Sequence, residues 1–232
     1  YGTVPFNEAS RLYGECADRA IALNPELGEA WAIRGSALAL DNNLEESEQA
    51  FQKALSLSPN DANVLKLYAE ALLRDIRLAE KGLMVIDRAI ELDPFFTVSR
   101  TVRANYYQSL RMLDRAEIEY RTIIELDPSS SMALNQYADF AMNTLGDYAL
   151  ALEYFTRAIE LDSGNPQLYW NLAELHLNLD HPEALDEIRA QVDAIDPDVL
   201  AAGMIEALSQ IHANNLQGAA ESFEWSLKKA YF

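Results

Sequence analysis

Apolar and small residues recur along this chain at i, i+4 and i+7, the spacing of helices that bury one face, rather than alternating as strands do. After Gly28, Trp31, Gly35 and Leu38 fall on one side of a first helix, and Leu44, Ser47, Phe51 and Ala54 on one side of a second. The same two-stretch design then returns. From Ala62 it reads Leu65, Ala69, Leu72, then Ile86, Ala89, Leu92; from Thr97 it reads Ala104, Tyr107, then Ala116, Tyr120, Ile123. From Ser131 it is Leu134, Ala138, Ala141, then Ala151, Phe155, Ala158, and from Pro166 it is Tyr169, Ala173, His176, then Leu185, Val192. The last stretch, from Leu200, gives Ala207, then Ala219 and Phe223. Each predicts a pair of helices, and no segment predicts a strand.

Punctuation separates the pairs. Ala54-Leu-Ser-Leu-Ser-Pro59, Ala89-Ile-Glu-Leu-Asp-Pro94 and Ile123-Ile-Glu-Leu-Asp-Pro128 nearly superimpose; Ala20-Ile-Ala-Leu-Asn-Pro25 precedes them, and Ala158-Ile-Glu-Leu-Asp-Ser163 and Val192-Asp-Ala-Ile-Asp-Pro197 follow. Successive terminal positions lie 34, 35, 34, 35 and 34 residues apart, room for two helices and two turns. Proline ends the second helix because it disfavours helical backbone in the residue before it. Asn43, with Glu46 three residues on, is expected to cap its helix. His181-Pro182 reads as a turn with proline at the first helical position, where its missing N–H costs nothing.

Trp31, Gly35, Ser47, Phe51, Ala54 and Pro59 stand where the tetratricopeptide repeat family places a bulky residue, small residues, an aromatic and a terminal proline, and the chain resembles that family from residue 28 onward. Small residues recur at the eighth position of every unit: Gly35, Ala69, Ala104, Ala138, Ala173 and Ala207. The resemblance implies units at 28–61, 62–96, 97–130, 131–165, 166–199 (degenerate) and 200–232, after an unpaired helix within 1–27. It implies an all-α, right-handed superhelical solenoid of antiparallel helix pairs, whose concave groove holds a protein or an extended peptide without catalysing a reaction. The units from Ala62 and Ser131 carry one extra residue, expected in the turn inside the hairpin, and Leu185 and Arg189 replace a small residue and an aromatic.

Charge narrows the partners. Eighteen Lys and Arg against thirty-seven Asp and Glu leave a net −19, the wrong field for phosphate backbones, so no nucleic acid partner is expected and a pentatricopeptide-type RNA reader is disfavoured. No stretch approaches the roughly twenty apolar residues of a membrane-spanning helix, so no membrane insertion of this segment is expected. Cys16 is alone, and His176, His181 and His212 lack metal-ligand spacing, so no metal or cofactor is expected; His176 reads as a satisfied structural histidine. Phosphate-loop, dinucleotide and nucleophile-elbow motifs are absent. Glu45, Glu46, Glu48, Glu117 and Glu119 read as solvated.

In the family's architecture the first helix of each pair lines the groove. Its inward positions are Lys66, Glu70 and Arg74; Thr101, Asn105 and Gln108; Asn135, Asp139, Met142 and Asn143; then Gln167, Trp170, Glu174, Leu177 and Asn178. Asparagine and glutamine both donate and accept, so they suit a peptide backbone, and Trp170 suits an apolar anchor. Ala32 and Ser36, then Lys66 and Glu70, do not match the basic clamp with which some members hold acidic chaperone tails. Val4, Phe6 and Leu12 at one end, and Trp225, Leu227, Tyr231 and Phe232 at the other, are expected to meet further chain or to self-associate. The first residue is Tyr1 rather than Met, and the Leu-Asp-Pro wording resembles the C-terminal arms of bacterial adenylate cyclases and membrane-bound transcription regulators. A regulatory or sensory arm of a larger bacterial protein is therefore the alternative expectation.

Overall fold

The computed structural model describes the backbone of residues 6–195 and 200–231, with the side chains of 11–195 and of most residues between 202 and 228. Contacts divide the chain into two compact parts, one up to Leu126 and one from Asp127. The first holds α1 (Phe6–Leu23), α2 (Gly28–Leu40), α3 (Leu44–Leu57), α4 (Ala62–Leu72), α5 (Ala79–Leu92), α6 (Thr97–Ser109) and α7 (Leu113–Leu126). The second holds α8 (Ser131–Phe140), α9 (Tyr148–Leu161), α10 (Pro166–Asn178), α11 (Ala184–Ile195), α12 (Leu200–His212) and α13 (Leu216–Tyr231). Among the described residues there is no strand, and no helix is long and apolar enough to cross a membrane.

Close approach of paired helices explains the small residues. A Cβ on Gly35 would lie 2.8 Å from the Phe51 ring, and the Ser47 hydroxyl donates to the Gly35 carbonyl at 2.8 Å. Ala69, Ala104, Ala138, Ala173 and Ala207 are wholly buried. Gly82 is tighter still: an added Cβ would fall 1.8 Å from the Tyr106 hydroxyl, which itself donates to the Ala69 carbonyl at 2.6 Å. That bond joins α6 to α4 inside a cluster that also buries Leu65, Ile86 and Val102.

Before Pro25, Pro94 and Pro128 the preceding residue also shapes the turn. The side chains of Asn24 and Asp93 accept from the backbone N–H two residues on, at 3.1 and 3.2 Å, and Asp127 does the same for Ser129 at 3.3 Å. These side-chain turns replace helical backbone bonds where proline forbids them. In the two pairs with an extra residue, the chain reverses through a 3-10 turn at Ile76–Leu78 and through a π-helical turn at Ala141–Leu145, closed by left-handed Gly146 (φ 70°).

Several expectations need correction. Asn43 makes no side-chain cap; its ψ of 66° falls short of the 82–113° at Asp61, Ser130, Asp147 and Asn165, all of which do cap. Leu44 is 43% exposed, because the helix begins there and turns it outward. Pro182 lies in the turn before α11, its carbonyl accepting from Leu185 N–H at 3.1 Å. Glu119 is buried rather than solvated: Arg103 donates to one oxygen at 2.7 Å and Arg100 approaches the other at 3.4 Å. Arg103 also holds Asp87 at 2.7 Å, so the buried charges are mutually compensated. Glu48 is half-buried; it accepts from the Tyr68 hydroxyl at 2.7 Å and from Lys81 at 2.9 Å. Burial pushes the Glu48 carboxyl up, but the bonds from Lys81, Tyr68 and Gln52 outweigh it and hold the group below its usual range. Glu117 is half-buried and takes two bonds from Arg121.

Candidate functional site

Along the first helices the two parts of the chain present different surfaces. In the part up to Leu126, α1, α2 and α4 border a cavity of about 460 Å³. Lys66 and Glu70 stand one helical turn apart along α4, Arg74 follows in the turn after it, and all three line the cavity, with Leu40, Leu67 and Ala71 as apolar wall. Lys66 is largely buried, its ammonium 3.5 Å from the Glu70 carboxylate, which is 41% exposed. Arg74 is exposed at the mouth. Tyr13 of α1 and Ser36 of α2 complete the lining. Tyr13 was not legible as a site residue, because the unpaired first helix has no unit from which to count positions.

Asn105 and Gln108, on α6, do not line this cavity. The Asn105 carbonyl accepts from the Tyr120 hydroxyl at 3.3 Å, which turns that amide toward its own paired helix, and Gln108 is half-buried.

From Asp127 onward the face is a ladder of amides. Gln167 donates to Asn171 at 3.0 Å, and Asn171 donates to Asn135 at 2.7 Å, linking α10 to α8. Asn171 sits one position beyond the counted inward column and was missed. Asn143 donates to Asp139 at 2.8 Å. The Glu174 carboxyl is pushed above the usual carboxylate range by burial and, second, by the Asp139 charge, so these two acids share one neighbourhood. Asn178 is exposed. Trp170 is half-buried and packs on the cluster of Tyr169, Leu185, Ile188 and Ile205. It is therefore partly a packing residue, and not solely the apolar anchor that the sequence suggests.

His176 also departs from expectation. Its Nδ1 is buried without a hydrogen-bond partner, and burial, followed by nearby His181, lowers its pKa. Among the described residues no three His, Cys, Asp or Glu side chains are gathered as a metal site would need. At the ends, Leu12 is 39% and Trp225 is 42% exposed. Val4, Phe232, Pro197 and the side chains of Phe6, Leu227 and Tyr231 lie outside the described residues.

Comparison with known proteins agrees with the all-helical repeat fold. Two family models, each described as tetratricopeptide repeat, match the chain: one over residues 8–62 and 101–166, the other over 142–208. The TPR repeat-containing protein YpiA of Bacillus subtilis is 28% identical over 173 residues, a match that covers 72% of this chain and 37% of YpiA. The chain spans between 20% and 37% of the length of the curated relatives it matches. Among solved structures, a tetratricopeptide repeat protein from Parabacteroides merdae aligns with TM-score 0.68 at 18% identity, covering 94% of this chain and 86% of that one. PilW, a type IV pilus biogenesis factor, aligns with TM-score 0.64 at 16% identity, covering 85% of this chain and 98% of its own. Likeness at these identities carries the fold.

Proposed function

This chain belongs to the tetratricopeptide repeat family, and on that premise we propose that it is a non-catalytic scaffold whose first-helix faces hold a protein or an extended peptide. The observation that carries this reading is the cavity beside α4. Lys66, Glu70 and Arg74 converge there over an apolar wall, a combination able to seat an apolar side chain while pairing charges at its rim. The amide ladder of Asn135, Asn171 and Gln167 supports the same use, since its groups can bond a peptide backbone without demanding a particular sequence. A net charge of −19 favours a polypeptide over a nucleic acid as the ligand.

Selection of a displayed random-peptide library on the intact chain, followed by calorimetry of the enriched peptides, tests this. Arg74→Ala removes an exposed charge without touching the core and should weaken binding by about tenfold or more, as expected for a bond to a charged group. Asn135→Ala should weaken binding several-fold, in line with about 0.5–1.5 kcal/mol for a neutral bond. Wild-type affinity in both variants would move the site off these faces. Failure to enrich any peptide would overturn the scaffold reading.

A further inference from the structure

A second cavity, of about 650 Å³, opens between α11, α12 and α13. It shares no residue with the α4 cavity or with the amide ladder, so a ligand here is independent of the peptide-holding role proposed for them. Three carboxylates line it, those of Asp193, Glu206 and Glu221, against one guanidinium, that of Arg189. Arg189 is already engaged by Glu206 and lies 3.5 Å from Asp193. The other Glu206 oxygen accepts from Gln210 at 2.6 Å. Negative charge therefore remains on the walls, chiefly at Glu221 and Asp193. The indole of Trp225, 42% exposed, borders the same space.

The repeat explains why there is a cavity at this point. Three repeat steps separate α6–α7 from α12–α13, and the helices correspond residue by residue: Thr97 with Leu200, where each first helix starts, and Leu113 with Leu216, where each second one does. In the earlier pair this place is filled by guanidinium groups. Arg100 reaches the Pro94 carbonyl at 3.3 Å and Glu119 at 3.4 Å, while Arg103 bridges Asp87 and Glu119. In the last pair Arg100 corresponds to Gly203, Arg103 to Glu206, Arg115 to Gly218 and Glu119 to Ser222. Three arginines have become two glycines and a carboxylate. Part of the side-chain volume is gone, although Asn215 and Gln210 close over Gly218 and Arg189 returns one guanidinium, and the acidic character of the surroundings has increased.

We propose that this cavity receives an arginine side chain from a polypeptide partner, the guanidinium taking the place that arginine occupies within the chain itself three steps earlier. A guanidinium suits it better than an ammonium, because its flat face can lie on Trp225 while its edge donates to Glu221 and Asp193. The strongly acidic chain would also draw a cationic segment toward it.

The probe is acetyl-Gly-Arg-Gly-amide, titrated into the intact chain while the backbone amide signals of Gly203 and Gly218 are followed by NMR. Saturable shifts at both glycines are expected, with an affinity that falls as salt rises. The isosteric citrulline peptide, neutral at the same shape, should bind at least tenfold more weakly, and the lysine peptide several-fold more weakly. Glu221→Gln should weaken the arginine peptide several-fold. Gly218→Arg, which restores the earlier pair's side chain, should abolish binding; if that variant loses its helical circular dichroism, Trp225→Ala replaces it, with a several-fold loss expected. Equal affinity for citrulline and arginine peptides, unshifted glycine signals, or full binding by the variants would each overturn the proposal. Tighter binding of free L-arginine than of the peptide would overturn the polypeptide source.

Discussion

Gly82 shows how a single missing methyl group can hold two hairpins together. It occupies the same repeat column as Ser47 and Ala116, so the sequence marks it as small but does not say why it must be glycine. The reason is Tyr106, from the next hairpin, whose buried hydroxyl passes where a Cβ would stand on its way to the Ala69 carbonyl. Gly82→Ala must displace that ring and break its bond. A loss of about 1–3 kcal/mol is expected from overpacking, with about 1 kcal/mol more from the severed hydrogen bond, read from the urea midpoint. Gly164→Ala is the control: nothing lies within 4 Å of its added Cβ, so its midpoint should stay within about 0.5 kcal/mol of wild type. Equal effects in the two variants would mean that Tyr106 is not pinned as described. The eighth-position residues were legible, because a small buried residue recurs at one fixed place in every unit, whereas the identity of Gly82 is set by a ring from the next hairpin.

At the level of helices, the counted inward positions located Asn135, Asp139 and Glu174 but passed over Asn171, since the amide ladder depends on how α10 lies against α8. That relation is tertiary and leaves no periodic trace in either helix alone. Glu119 was misread for a related reason: the two arginines that permit its burial reach it from the paired helix α6. The same packing brings Glu174 near Asp139 and makes its ionisation unfavourable in the folded state. A carboxyl whose folded pKa lies above its unfolded value stabilises the fold fully only below the unfolded value, and the contribution is lost as pH rises through the folded one. Glu174→Gln, which cannot ionise, should therefore match wild type in acid below the ordinary carboxylate range. It should be more stable than wild type at neutral pH, with a higher thermal midpoint there. A gap that does not change with pH would show that Glu174 contributes by packing alone.

For the molecule as a whole, the net charge of −19 is carried mainly on exposed acids whose mutual repulsion is only partly offset by ion pairs. Salt screens such charges within about 8–10 Å at ordinary ionic strength. Raising sodium chloride from low concentration to about 0.5 M should lift the thermal midpoint by about 2–4 °C, the shift that corresponds to about 1 kcal/mol in a chain of this size. A falling midpoint would mean that the ion pairs, Arg103 with Asp87 and Glu119 foremost, outweigh the repulsion.

The two irregular turns, Ile76–Leu78 and Ala141–Leu145, have a consequence for how such a chain can change over generations. Each absorbs a surplus residue at the bend, and the following helices, α5 and α9, still deliver Ile86 and Ala89, or Phe155 and Ala158, to the interior. What is inherited in step is thus the order of packed faces, not a count of residues. An insertion at a bend drifts by almost neutrally, while the same insertion one turn earlier would rotate every later side chain out of place. The bend at Gly146, left-handed, exposed and with nothing within 4 Å of an added Cβ, is accordingly the natural point to graft a foreign loop into this chain.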